Sequence, residues 1–169
     1  MLEKIGFISD IHSVRDNELE WLAEQARGRK FIYELGSYLG RSTIALAHYG
    51  SLVCAVDDFR GATNYPLANG EKSSVLEQFI KNTAPYSNIH LLVTTHERFQ
   101  PINECDMVFI DGDHTYEAVK RDISKFMNHK NIFICGHDYS WWPGVREAVE
   151  VMFGNDFKLF GQQIWYVQR

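Results

Sequence analysis

Several features that would assign this 169-residue chain to a class are scarce or missing, and each shortage excludes something. Cysteine is sparse: Cys54, Cys105 and Cys135, an odd number with no Cys-x-x-Cys pair. Thiols scattered in or beside apolar runs fit buried, reduced side chains, and they argue against a disulfide framework, a thiolate metal site or a redox centre. No apolar run approaches the roughly 20 residues needed to span a bilayer. Met1–His12 is too short and too acidic to read as a signal peptide, so no membrane association and a cytoplasmic location are expected. Basic residues are outnumbered, 17 Lys and Arg against 22 Asp and Glu, which leaves a net charge of −5. With no basic face, a nucleic-acid partner is not expected. Repeats, low-complexity stretches and linkers are also missing. The length suits one domain over residues 1–169, with a short N-terminal helical segment over about residues 1–30.

Apolar runs and helical periodicities alternate along the chain. A polar helix is expected over Asn17–Ala26, then strands at Phe31–Leu35 and Leu52–Val56, with an irregular loop at Arg60–Gly70. A helix near Ser73–Thr83 leads to strands at Ile89–Val93 and Met107–Ile110. A helix over Tyr116–Asn128, a strand at Ile132–Cys135 and a helix over Gly144–Phe153 follow. The tail, Phe157–Phe160 and Gln163–Val167, reads as an antiparallel pair turning at Gly161. This alternation predicts an α/β fold: a doubly wound, mostly parallel sheet with an antiparallel C-terminal strand and helices on both faces.

The segment from Phe31 to Ala47 carries the strongest local signal. An apolar strand ends at Gly36, and helical periodicity begins beyond Ser42 and Thr43. Gly36 can take a positive φ, and Gly40 lets the backbone approach a ligand. A helix starting there aims free N–H groups and the positive end of its dipole at the turn. The spacing Glu34-x-Gly36-x-x-x-Gly40 is not the G-x-G-x-x-G of nicotinamide enzymes. The next strand ends at Asp57, 21 residues after Gly36. That is close to the ~20-residue offset at which nucleotide-binding folds place an acid on a ribose. A carboxylate can accept from both ribose hydroxyls; Asp at a strand end can also simply start a turn.

Two more acid clusters stand at strand ends: Asp111-Gly-Asp113-His114-x-Tyr116 and Gly136-His137-Asp138-Tyr139. In open α/β sheets both should face one crevice with Gly36 and Asp57. Carboxylates, imidazoles and water suit Mg²⁺ or Mn²⁺, and the imidazoles extend the choice to Fe²⁺ or Zn²⁺. The competing structural readings are a helix cap at Asp111, a turn at Asp113 and an ion pair between Asp138 and Arg146. Tyr139, Trp141 and Trp142 read either as core or as a wall for a ring-bearing ligand.

Together these residues resemble the class I S-adenosylmethionine-dependent methyltransferases. The chain is similar to the small, family 24-like branch with F-I-D-G-D-H-x-Y after the fourth strand and H-D-Y after the fifth. The resemblance covers Phe31 to the C terminus and implies a Rossmann-like fold. It implies S-adenosyl-L-methionine bound through the turn (Glu34, Gly36, Ser37, Gly40, Ser42, Thr43), with Asp57 on the ribose, Thr95 and His96 beside the adenine, and Asp111 closing the pocket. Related O-methyltransferases hold a divalent metal on acids at these strand ends, which nominates Asp111 and Asp138, with His137 where a further acid often stands. Asp113 or His114 would be the catalytic base. The implied acceptor is a small molecule, a sugar or other hydroxyl compound. A pocket left open by so short an N-terminal segment could be completed in a homo-oligomer. The rival readings are an inactive cofactor-binding module and a metal-dependent hydrolase or oxygenase.

Overall fold

The computed structural model describes residues 14–60, 65–66 and 72–169. The Met1–His12 segment and most of the Arg60–Gly70 loop lie outside the described residues. The elements are α1 (Asp16–Ala26), β1 (Ile32–Leu35), α2 (Arg41–Tyr49), β2 (Val53–Asp57), β3 (Tyr65–Pro66), β4 (Lys72–Ser73), α3 (Val75–Thr83) and β5 (Ile89–Val93). They continue with β6 (Met107–Ile110), α4 (Tyr116–Ser124), β7 (Phe133–Gly136), α5 (Pro143–Phe153), β8 (Lys158–Phe160) and β9 (Ile164–Gln168).

Local chemistry explains most boundaries. Ser74 caps α3: its Oγ accepts from Glu77 N at 3.2 Å, while Glu77 Oε2 accepts from Ser74 N at 3.0 Å. Proline at the first position of α5 loses no hydrogen bond there and has φ preset for a helix. α4 stops at Ser124 rather than the expected Asn128. Beyond it Phe126 N bonds Ile123 O and His129 N bonds Phe126 O, both at 3.0 Å, a tighter three-residue winding. Within the Arg60–Gly70 loop and just after it, β3 and β4 pair as a short antiparallel ribbon.

The main sheet has the order β5-β2-β1-β6-β7-β9-β8. Its first five strands are parallel, and β9 and β8 are antiparallel additions. The period of two along each strand sends alternate residues to opposite faces. Val108 and Ile110 of β6 join Val119 and Ile123 of α4 and Val149 of α5 in one buried cluster. Met107 and Phe109 join Leu19 and Leu22 of α1 and Leu46 of α2 in the other. Among the described residues no helix is long and apolar enough to cross a membrane. All three cysteines are free, and burial pushes the Cys54 thiol up to about 11 and Cys105 up to about 12. Neither is poised to ionise.

From β1 the chain winds outward through β2 to β5, then returns past its start to β6 and β7. The order therefore reverses between β1 and β6, and a crevice opens at their carboxyl ends. Those ends meet tightly. Asp111 N donates to Leu35 O at 2.8 Å, and Gly36 N donates to Val56 O at 3.0 Å. Gly36 has φ +90°, and a Cβ on it would lie 2.2 Å from the Asp111 carbonyl oxygen.

Gly36→Ala should therefore cost roughly 3 kcal/mol or more, combining positive-φ strain with a steric clash against backbone. Gly28 also has a positive φ, +78°, but a Cβ there meets nothing within 4 Å. Gly28→Ala should cost only roughly 1–2 kcal/mol. Urea denaturation midpoints of the two variants check the difference; equal losses would contradict this reading of the strand-end contact.

Candidate functional site

A cavity of about 680 Å³ occupies the crevice, and its wall brings together Gly36, Asp57, Thr95, Asp111 and Asp113 from four strand ends. That volume suits a ligand of small-molecule size. The Asp57 carboxylate organises the turn opposite it. Its Oδ2 accepts from Ser37 N at 2.8 Å and Tyr38 N at 3.0 Å, and its Oδ1 accepts from Phe59 N at 2.7 Å. Tyr38 and Phe59 both have positive φ, +45° and +55°, so the carboxylate holds two strained backbone positions. A carboxylate offers about four acceptor sites. Three are taken, and Asp57 still lines the cavity.

The other turn residues lie behind that wall. Glu34 is fully buried, and its Oε2 accepts a short hydrogen bond from Thr43 Oγ1, while Oε1 has no partner. Burial raises its carboxyl to about 7, against the pull of the Ser42, Thr43 and Ser37 hydroxyls. Ser37, Ser42 and Thr43 are buried with it. Gly40 is the N-cap of α2, with φ +88°, and a Cβ there would lie 2.9 Å from the Thr83 side chain of α3.

At the other end of the crevice the two acid clusters converge. Asp111, His114 and Asp138 each aim one ligand atom into a group whose members lie within 4.8 Å of one another. His114 Nε2 stands 2.7 Å from Asp138 Oδ2 and 3.7 Å from Asp111 Oδ1, yet it lacks the alignment of a hydrogen bond. Asp138 has φ +66° in a non-glycine residue, another strained backbone position at this site. His137 stands one step behind. Its Nδ1 is 3.1 Å from Asp138 Oδ1 and 3.9 Å from Asp111 Oδ1, and its Nε2 is 3.2 Å from Glu18 Oε2. Arg146, the alternative partner for Asp138, instead donates to Ser140 O and sits over the Tyr139 ring.

The charges in this cluster hold one another. Burial alone would lower both imidazoles, but the Asp111 and Asp138 carboxylates raise His114 to about 9, and Asp138 and Glu18 raise His137 to about 10. Burial would raise Asp138; the two imidazoles overcome it and bring the carboxyl down to about 2. Asp113 accepts from Thr115 N at 2.9 Å, which lowers its pKa. Trp142 stacks on the His114 ring at 5.1 Å, and Trp141 meets His137 edge-on at 6.0 Å. Both tryptophans are exposed rather than core.

Sequence reasoning passed over two buried acids. Glu18 reads locally as an acid in the first turn of a helix, and Asp122 as an ordinary helix acid. Asp122 is buried and its Oδ2 lies 2.8 Å from Nδ1 of His96 on the cavity wall. A charged residue falling on the inward face of each helix was the one available signal.

A glycine turn, an acid after the second strand and a crevice at the reversal of a parallel sheet are shared by nucleotide-binding α/β folds, and the family match narrows them to a class I S-adenosylmethionine-dependent methyltransferase. Residues 33–139 match the methyltransferase domain family, and the chain belongs to that family. A comparison with curated proteins gives no match. Among solved structures, an S-adenosylmethionine-dependent O-methyltransferase from Thermotoga maritima superposes with a TM-score of 0.65 at 12% identity, over 93% of this chain and 66% of that one. A tRNA (m1A58) methyltransferase from Aquifex aeolicus gives 0.67 at 12% identity, over 99% and 75%. An N-methyltransferase from Bradyrhizobium japonicum gives 0.58 at 12% identity, over 90% and 91%. Different acceptors on one fold mean that the acceptor must be argued from the site.

The Glu34 carboxyl yields a prediction with a definite sign. Its folded pKa, about 7, lies above the ordinary 4.5, so its contribution to stability is complete below pH 4.5 and is lost as pH rises through 7. The stability of Glu34→Gln relative to wild type should therefore rise across that window, with a slope of up to roughly 1.4 kcal/mol per pH unit. Denaturant titrations at pH 4.5, 6 and 7.5 measure it. A flat difference would show that the carboxyl titrates normally.

Proposed function

We propose that this methyltransferase acts on a hydroxyl group of a small molecule, a sugar or another hydroxyl compound. In this reading a divalent ion such as Mg²⁺ or Mn²⁺ sits on Asp111, His114 and Asp138. The observation that carries the proposal is the convergence of these three ligand atoms, with buried His114 Nε2 facing Asp138 Oδ2 at 2.7 Å and Asp111 Oδ1 at 3.7 Å but making no aligned hydrogen bond to either. Buried polar atoms that face one another without bonding are in the arrangement a shared cation satisfies. Two carboxylates and one imidazole form a donor set that Mg²⁺ or Mn²⁺ accepts, and that Fe²⁺ or Zn²⁺ also accepts. Three unpaired cysteines agree with a reducing, cytoplasmic setting.

Each residue then has a task. Gly36 leaves the turn without a side chain, and Asp57 accepts from ribose hydroxyls while holding Ser37 and Tyr38. Thr95 and His96 line the adenine side. S-adenosylmethionine, when bound, supplies an electrophilic methyl group on a sulfonium sulfur. A divalent ion, when bound, supplies positive charge that lowers the pKa of an acceptor hydroxyl. A His114 nitrogen committed to an ion cannot also take a proton, so Asp113 becomes the base. The Thr115 N–H keeps Asp113 ionised and ready to accept; by itself it is a weak base and suffices only for a hydroxyl already acidified.

Calorimetry tests both halves. S-adenosylhomocysteine should bind wild type, and Asp57→Ala should weaken it by about tenfold to a hundredfold, the worth of one charge-assisted hydrogen bond. With that ligand present, Mn²⁺ should bind wild type at one site, and Asp138→Asn should weaken it by about tenfold or more. Equal Mn²⁺ affinity in the two proteins would refute the shared site, and unchanged cofactor affinity in Asp57→Ala would refute the ribose assignment.

A further inference from the structure

The first turn of α1 reaches 119 residues along the chain to hold the loop after β7. Glu18 Oε2 accepts from Arg15 N at 2.8 Å and meets His137 Nε2 at 3.2 Å. Both side chains are almost wholly buried, 3% and 1% exposed. The other ring nitrogen, Nδ1, faces Asp138 Oδ1 at 3.1 Å. Two further contacts close the same joint: Arg15 lies 5.3 Å over the Trp141 ring, whose edge meets His137. Trp141 N and Trp142 N both donate to Asp138 O, at 3.2 and 3.1 Å.

A buried ion pair is a poor way to gain stability, because removing two charges from water costs about as much as their attraction returns. Apolar side chains of similar size would join α1 to β7 at least as well. What the pair adds is direction. An imidazole held at Nε2 has its ring plane fixed, and its Nδ1 is thereby kept 3.1 Å from Asp138 Oδ1, an ion-pair contact without the alignment of a hydrogen bond. Asp138 needs that support, since its φ of +66° is unfavourable for a residue with a Cβ.

We infer that Glu18 is a positioning residue: acting through His137, it holds the Asp138 carboxylate toward His114 and Asp111. The inference rests on the cation reading above for what Asp138 does, but the loop geometry tests it independently. Partners standing behind metal ligands typically set about tenfold to a hundredfold in metal affinity.

The experiment compares wild type, Glu18→Ala and Leu22→Ala, each bound to S-adenosylhomocysteine. Leu22 is fully buried on α1 and lies outside this joint, so its truncation reports loss of helix packing alone. Hydrogen exchange of the Tyr139, Trp141 and Trp142 amides and a Mn²⁺ titration are the readouts. In Glu18→Ala these amides should exchange faster and Mn²⁺ should bind about tenfold to a hundredfold more weakly, with cofactor affinity unchanged. Leu22→Ala should lower Tm and leave both readouts at wild-type values. If Glu18→Ala does not fold, Glu18→Gln replaces it, with the same directions and smaller changes. A Glu18 variant that lowers Tm but matches Leu22→Ala in exchange and Mn²⁺ affinity would overturn the inference. If wild type binds no Mn²⁺, the cation reading fails, and the exchange rates alone decide the role of Glu18.

Discussion

The ends of β1 and β6 approach so closely that Gly36 and the Asp111 carbonyl leave no room for a side chain between them. The layout of the crevice follows from this contact. With Gly36 pinned, Ser37 and Tyr38 present their N–H groups to Asp57, and the turn stands open toward the cavity. With Asp111 pinned, its side chain points along the crevice to His114 and the loop after β7. The glycine turn and the Asp111 carboxylate are thus set relative to one another by one backbone contact at the reversal of the sheet.

The electrostatics of the crevice divide along the same line. On the turn side, charge is met by backbone dipoles: the Asp57 carboxylate is stabilised by three N–H groups. On the β6–β7 side, charge is met by charge. Glu18, Asp111 and Asp138 surround His114 and His137, raising both imidazoles, while Asp138 is driven down to about 2. A site that raises an imidazole this far attracts positive charge of any kind. A divalent ion bound as proposed would compete with a proton for the same nitrogen lone pair.

Much of this was legible in the sequence because it is local. The strand, Gly36 and the helix behind it lie within seventeen residues, and the strand alternation that brings Asp57, Asp111 and Asp138 to one side is a pattern of period and spacing. What could not be read depends on long-range pairing. Glu18 accepts locally from the Arg15 N–H at the helix start, and nothing near it signals a partner 119 residues away. His114 and His137 follow adjacent strands with similar neighbours; in the fold His137 meets Glu18, and His114 is the imidazole grouped with Asp111 and Asp138. Trp141 and Trp142 look like core by composition; a turn fixed by the Asp138 carbonyl leaves them exposed.

The central claim is that the three strand-end groups form one cation site beside a nucleotide cavity. Anomalous diffraction at the manganese edge from crystals grown with Mn²⁺ and S-adenosylhomocysteine tests it most directly. The account predicts a single strong peak bonded to His114 Nε2 and to oxygens of Asp111 and Asp138, with the cofactor product lying against Gly36 and Asp57. A cofactor in place with no peak among these three residues, or a peak elsewhere in the crevice, would contradict it.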